Sequence, residues 1–257
     1  MATWDPASYL KFTDERSRPY FDLVDRVGAT APVRVVDLGC GPGQLTAALA
    51  QRWPDAEIVG IDSSPEMIDA AQQHAGPRVR FEVGDIATWR IEGPVDVIVS
   101  NAALQWVPTH RKLLPQLVDA LGDGGWLAFQ MPGNFGEPSH QLLRDLARFP
   151  RYADATRRIE FPHSFDAETY LGDLVALGCE VDAWETTYLH LLEGEDPVFE
   201  WISGTGARPV LQALEGQSLE AFTLEYKEQL RRAYPAHAYG TVLPFRRIFC
   251  VASKRVR

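Results

Sequence analysis

The sequence predicts an α/β fold: a seven-stranded, mostly parallel sheet with its last strand antiparallel, helices on both faces, and a helical cap. Three observations lead there. Short apolar runs alternate with helical periods from residue 33 to residue 131. The first run ends in a glycine-rich turn, Asp37-Leu38-Gly39-Cys40-Gly41-Pro42-Gly43. Two late apolar runs, 179–188 and 242–252, are separated by a helical insertion, which suggests a hairpin-like sheet edge with a cap between its strands. Near-continuous apolar strands are what a parallel sheet covered on both faces requires.

The elements follow in order. Residues 19–28 have a helical period, with Pro19 at the start and Gly28 at the end. Strand one is 33–38, and a helix from Gly43 to Trp53 carries Leu45, Leu49 and Trp53 on one stripe. Strand two is 57–61. Ser64-Pro65 then opens a helix, with serine as cap and proline in the first turn. Strand three is 79–83 and strand four 95–100. A helix over 110–121 precedes strand five at 126–131. Residues 134–165 carry no assignable period. A helix over 167–177 ends at Gly178, and residues 196–234 read as two or three helices broken near Gly204-Thr205-Gly206 and Gly216.

Composition narrows the function. The 257 residues fit one domain, with a core at about 30–132, an N-terminal lid at 1–28 and cap segments at about 133–166 and 194–240. A formal net charge of −10 argues against nonspecific binding of nucleic acid or anionic membrane. An anionic substrate would need local positive charge to overcome that field. Cys40, Cys179 and Cys250 have neither CxxC nor metal-ligand spacing and read as reduced thiols. No signal-peptide-like stretch lies in residues 1–20, and no apolar run reaches membrane-spanning length, so a cytoplasmic location is expected. The expected partner is a small molecule, and the expected state a monomer or weak homo-oligomer.

The glycine turn lets backbone approach a ligand closely. Asp37 is an acid inside an apolar strand end, and a buried carboxylate calls for a hydrogen-bonded or cationic partner. Asp62 closes the next apolar run, at the spacing of the acid that holds a ribose in dinucleotide sites. The turn reads G-x-G-x-G rather than G-x-G-x-x-G and lacks the lysine of a P-loop. An adenosine ligand with a cationic amino-acid tail fits better than a pyrophosphate, and S-adenosylmethionine is such a ligand.

Four segments in order carry a resemblance: Asp37 to Gly43, Asp62, Gly84-Asp85-Ile86, and Asn101-Ala102-Ala103-Leu104-Gln105-Trp106. The chain resembles the Rossmann-like class I S-adenosylmethionine-dependent methyltransferases. Further segments resemble the branch that esterifies one carboxylate of trans-aconitate. They include Trp4-Asp5-Pro6, Glu15 to Pro19, Gln130-Met131-Pro132, Thr205-Gly206-Ala207-Arg208-Pro209 and Leu243 to Phe249. The resemblance implies that Asp62 holds the ribose hydroxyls and that Asp37 faces the methionine ammonium. Asp85 and Ile86 would take the adenine edge and Met67 its face. Gly39, Cys40, Gly41, Gly43 and Ser63 would line the site, and Asn101 and Ala102 would run beside the sulfonium.

A trianionic acceptor wants arginine forks. The candidates are Arg16, Arg18, Arg208, Arg246 and Arg247. The last two are adjacent on a strand, so at most one of them faces the pocket. Tyr9, Gln105, Trp106, Tyr188 and Trp201 are candidates to close it, with Gln105 and Trp106 as positioning residues. No metal and no general base are expected, because a carboxylate is already ionised at neutral pH. His163 and His190 show no partner in the sequence and receive no role. A different polycarboxylate or a hydroxylated acceptor is the alternative reading. A non-catalytic S-adenosylmethionine-binding protein is the remote one.

Overall fold

The computed structural model describes residues 13–91 and 93–256. Its strands are β1 (Arg34–Leu38), β2 (Glu57–Asp62), β3 (Val79–Val83), β4 (Val95–Asn101), β5 (Leu121–Pro132), β6 (Cys179–Leu192), β7 (Ala236–His237) and β8 (Gly240–Lys254). All eight form one sheet: seven run in the order β3-β2-β1-β4-β5-β8-β6, and short β7, one strand more than expected, pairs with β8 off that path. The pairs from β3 through β5 are parallel. β8 is antiparallel to both β5 and β6, which is the hairpin-like edge expected.

The helices are α1 (Thr13–Val24), α2 (Gln44–Arg52), α3 (Pro65–Ala71), α4 (Leu114–Ala120), α5 (Pro138–Ala147), α6 (Pro150–Thr156), α7 (Ala167–Ala176), α8 (Pro197–Ser203), α9 (Arg208–Ala213) and α10 (Gly216–Ala233). The strand period of two sorts side chains between the two faces of the sheet. Val35 of β1 packs with Leu23 of α1 and Leu49 of α2. Val36 and Leu38 join the opposite cluster with Leu114, Leu117, Tyr170 and Leu174 of α4 and α7. A third cluster builds the cap from α5, α6, α8, α9 and α10, and it closes on Leu192, Leu243 and Phe245 at the ends of β6 and β8.

Three sequence expectations change. The first helix spans Thr13–Val24 with Pro19 inside it, rather than 19–28 with Pro19 leading. Burial of Tyr20, Leu23, Val24 and Val27 against the sheet outweighs the local proline signal. Gly28 is no helix cap: the Trp126 ring packs on it, and a Cβ there would stand 2.6 Å from that ring. β5 starts at Leu121, because the Gly122–Gly125 stretch is absorbed by a register shift between Val95 and Val97. The unassigned segment holds α5 and α6. Each starts with a proline at its first position and has no side-chain cap, so both starts read as loop. Tyr9 and the side chain of Arg16 lie outside the described residues.

The chain leaves β1 toward β2 and β3, then returns to β4 and β5 on the other side. The carboxyl ends of β1 and β4 therefore flank a topological switch point, where open α/β sheets bind ligands.

Candidate functional site

The glycine loop is strapped to β2. Gly39 and Cys40 N–H donate to Ile61 O at 2.7 and 3.0 Å, and Gly41 N–H donates to Asp62 Oδ2 at 3.0 Å. Asp62 Oδ1 accepts from Ser64 N–H at 2.9 Å, and Ser64 Oγ caps α3 by accepting from Met67 N–H at 3.3 Å. Asp62 thus ties the loop to the α3 start. A carboxylate has about four acceptor sites, so it keeps capacity for a ligand. Burial raises its carboxyl, and the Ser64 and Gly41 N–H groups oppose that rise.

Asp37 shares the face of Val35, beneath α2, and is 2% exposed. Its Oδ2 accepts from Thr46 Oγ1 at 2.6 Å. Burial pushes its carboxyl up to about 7; the Thr46 hydroxyl opposes this and the Asp62 charge adds to it. Tyr20 of α1 closes the space above, and its buried hydroxyl has no hydrogen-bond partner. Tyr20, Asp37, Gly39, Cys40, Gly41, Gln44 and Asn101 line one cavity. Burial together with the Asp37 and Asp62 charges raises the Cys40 thiol far above its ordinary value. It stays protonated and inert, so it is a lining group.

The remaining expected residues lie outside this lining, at the ends of β2 and β3. Met67 is buried at the α3 start and Ser63 is exposed beside it. Ile86 reaches the loop, with its Cδ1 3.5 Å from where a Cβ on Gly39 would stand. Asp85 is exposed and turns the chain after β3, its Oδ1 accepting from Ala87 N–H at 2.9 Å.

A second cavity of about 680 Å³, open mouth included, begins at Asn101. Ala102 is the only non-glycine residue with positive φ among the described residues, at 53°. Such backbone is held against a steric cost, and it concentrates at functional sites. Two bonds hold it: Ala102 N–H donates to Gln130 O at 2.9 Å, and Ala102 O accepts from Gln105 Nε2 at 2.5 Å. That second bond fixes the Gln105 carboxamide. Its buried Oε1 has no hydrogen-bond partner and lies in the cavity wall. Trp106, Pro132, Asn134, Phe135, His140, Pro162, Trp201, Ile202, Thr205, Gly206, Phe245 and Arg247 complete the lining.

Arg247 is the cation in this wall and is 4% exposed. Its Nη1 donates to Gln130 Oε1 at 3.3 Å, Gln130 Nε2 donates to Asn101 Oδ1, and its guanidinium stacks 4.6 Å from the Phe245 ring centre. Arg246 points to the other face and forks Glu185 through Nε and Nη2, both at 2.7 Å. This is the strand alternation expected of the pair. Arg18 is 72% exposed in its side chain, 4.0 Å from Asp22, and stacks on the Tyr188 ring. Tyr188 donates to Asp22 at 2.6 Å, so Tyr188 stands against the α1 face that carries Arg18, and neither residue is in the described lining of these two cavities. Arg208 starts α9 outside both linings; the Ser64 hydroxyl holds the Glu66 carboxyl below its ordinary value, and the Arg208 charge adds a lesser part.

His190 stacks on Trp201 at 4.6 Å, and His163 N–H donates to Gln105 O at 3.3 Å. The sequence reading missed Tyr20, Asn134, Phe135, His140 and Pro162. Tyr20 was legible as the first member of the Tyr20-Leu23-Val24-Val27 stripe. The others sit in the segment that carried no assignable period. Among the described residues no cluster of three or more His, Cys, Asp or Glu could hold a metal ion. No described helix is long and apolar enough to cross a membrane.

A family model described as a methyltransferase domain matches residues 35–125, from β1 to the start of β5. The trans-aconitate 2-methyltransferase of Streptomyces avermitilis is 52% identical, over 98% of this chain and 97% of its own. That of Rhodococcus jostii is 50% identical, over 97% and 98%. The crystal structure of geranyl diphosphate C-methyltransferase from Streptomyces coelicolor, in complex with Mg²⁺, geranyl diphosphate and S-adenosyl-L-homocysteine, shares the fold. Its TM-score is 0.53 at 16% identity, over 97% of this chain and 82% of that one. Matched end to end by relatives of about half identity, the chain belongs to the trans-aconitate 2-methyltransferase family.

Proposed function

We propose that the chain transfers a methyl group from S-adenosylmethionine to one carboxylate of trans-aconitate, giving a monomethyl ester and S-adenosylhomocysteine. The observation that carries this reading is Asn101, which lines both cavities. On one side lies a glycine loop with two acids; on the other lies a largely apolar cavity with a buried arginine. The names of the family members supply the acceptor. The partner is thus a small polycarboxylate rather than nucleic acid or a membrane surface, and the place of action the cytoplasm.

The first cavity fits the methyl donor. Asp37 offers a buried acid to an ammonium group, and Tyr20 an unsatisfied hydroxyl. Asp62 keeps acceptor sites for ribose hydroxyls; Asp85 and Ile86 are the groups assigned to the adenine edge, with Met67 and Ser63 on its faces. S-adenosylmethionine, when bound, supplies an electrophilic methyl on its sulfonium. The protein's part is positioning and exclusion of water. Arg247 grips a carboxylate that does not react, and Ala102, Gln105 and Trp106 form the wall beside Asn101. Ester formation removes negative charge from the acceptor, so a second cation on the reacting carboxylate would hold the ground state too tightly.

His140 is the imidazole in the acceptor cavity, and burial with the Arg144 charge lowers it to about 4. A base that weak serves a hydroxyl acceptor poorly at neutral pH, which favours the carboxylate.

The direct test incubates the purified protein with methyl-labelled S-adenosylmethionine and a panel of di- and tricarboxylates. A base-labile methyl ester on trans-aconitate is expected; label entering no polycarboxylate would sink the reading.

Asp37 adds a pH prediction. Its folded-state value of about 7 lies above the ordinary 3.8. The free fold therefore favours the protonated acid, and this group's contribution to stability is fully present below 3.8 and lost as pH rises through 7. A ligand ammonium that pairs with the ionised acid must displace that proton. Affinity for S-adenosylhomocysteine is thus expected to rise from pH 5.5 to 7.5, by at most about tenfold per unit, and to level above. Calorimetric titration across that range checks it. Asp37→Asn should flatten the rise, and a flat profile in the unmodified protein would remove Asp37 from the ammonium site.

A further inference from the structure

Asn134 and His140 give the acceptor cavity a polar wall to which the reading above assigns no work. Both stand at the start of α5, His140 in its first turn and Asn134 just before its cap residue Glu137. Asn134 is 1% exposed, lines the cavity, and has a buried Oδ1 with no hydrogen-bond partner. His140 is 7% exposed; its Nδ1 lies 3.1 Å from Ser139 Oγ, and its ring meets Phe135 edge-on at 5.3 Å. Its Nε2 is turned to Gly206, where a Cβ would stand only 2.8 Å away. Gly206 lines the same cavity, so the absent side chain leaves this nitrogen room.

The charge that acts on the ring is Arg144 on its own helix, and Arg247 lines the same cavity from β8; Tyr226 of α10 donates to Ser139 O, and the hydroxyl of Tyr234, the residue after α10, accepts from Ser139 N–H. Burial and, after it, the Arg144 charge oppose an imidazolium, and the ring is neutral throughout the neutral range. The tautomer in which Ser139 Oγ donates to Nδ1 carries the ring proton on Nε2, the nitrogen turned to the cavity.

We propose that His140 Nε2–H and the Asn134 carboxamide, turned to present Nδ2, form an uncharged carboxylate subsite in the acceptor cavity. It holds a second non-reacting carboxylate beside the one on Arg247. This rests on the polycarboxylate reading above. Neutral donors hold an anion by hydrogen bonds without adding the positive charge that would overbind the reacting group.

The test compares the unmodified chain with His140→Leu, His140→Gln and Asn134→Leu. With trans-aconitate, His140→Leu and Asn134→Leu should each raise KM about tenfold, the loss of one hydrogen bond to a charged group, with kcat within about twofold. His140→Gln, which places an N–H near the same point, should recover most of it. KM of the unmodified chain should stay flat from pH 6 to 8. Imidazole ¹⁵N spectra with S-adenosylhomocysteine present should show the His140 Nε2 signal move on adding trans-aconitate. Equal losses in the Leu and Gln variants, a KM that climbs as an imidazolium is lost, or an unmoved signal at saturating trans-aconitate would each overturn the proposal. If the unmodified protein esterifies no polycarboxylate, the reading above fails instead, and the spectra still decide whether His140 binds a carboxylate.

Discussion

Arg247→Met is expected to lower kcat/KM for trans-aconitate by about two to three orders of magnitude while leaving S-adenosylhomocysteine affinity within about threefold. Removing one partner of a buried, hydrogen-bonded charge pair costs about 2–5 kcal/mol, and 1.4 kcal/mol is about tenfold. Arg247 meets those conditions: it is 4% exposed and held by Gln130 and the Phe245 ring. Methionine fills a similar volume and leaves no uncompensated charge, so the free protein should unfold near its usual temperature. Arg247→Lys keeps the charge and loses the planar fork, and should recover only part of the activity.

The neighbouring residue supplies the control. Arg246 forks Glu185 on the opposite face of β8, so Arg246→Met should change acceptor kinetics by less than about threefold. If Arg247→Met keeps kcat/KM within threefold, the acceptor's anchor lies elsewhere. Arg208 would then be the first place to look, since it starts a cap helix and its charge already reaches Glu66 on α3.

How much of this was legible in the sequence divides along physical lines. β1 to β4 and the Ser64 cap were read to within about a residue, because each strand is a short apolar run, the first three closed by a glycine or an acid and β4 by Asn101, and Ser64 stands directly before Pro65. The split of Arg246 and Arg247 needed only the strand period. The cap was another matter. α5 buries His140, Leu143, Leu146 and Ala147 on one stripe, a period present in the sequence but masked by proline starts without capping side chains. Missing α5 meant missing His140 and Asn134. Arg18 and Tyr188 lie outside the two cavity linings for different reasons: Arg18 faces Asp22 one turn along its own helix, a pairing the i,i+4 spacing carries, whereas Tyr188 bonds Asp22 through a tertiary contact that nothing local marks. Gln105 and Trp106 came from the motif after β4. The strained φ at Ala102 that aims this segment left no mark in the sequence, because alanine is not the residue such a backbone favours.

Gly39→Ala is expected to abolish detectable cofactor binding and to lower the unfolding temperature by roughly 5–15 °C, estimated from its strain. Gly39 has φ +80°, and a Cβ there would stand 2.1 Å from the Ala103 Cβ. The backbone conformation alone costs an L-residue about 1–3 kcal/mol, and forced overpacking adds about 1–3 kcal/mol. Ala103 has little freedom to yield, because it follows strained Ala102, whose N–H and carbonyl are bonded to Gln130 and Gln105. Relief must come from the loop itself, and moving it breaks the Gly39 and Cys40 bonds to Ile61 that hold it over the switch point. Gly41 separates strain from function. Its φ is also positive, but a Cβ there meets nothing within 4 Å, so Gly41→Ala should lose only about 1 kcal/mol of stability. That open space is where a ligand over Asp37 and Asp62 would lie, so this variant should keep its fold yet weaken S-adenosylhomocysteine binding. If Gly41→Ala binds as tightly as the unmodified chain, the donor does not pass over this loop. If Gly39→Ala unfolds at the usual temperature, the packing of the loop on Ala103 does not hold the two cavities in place.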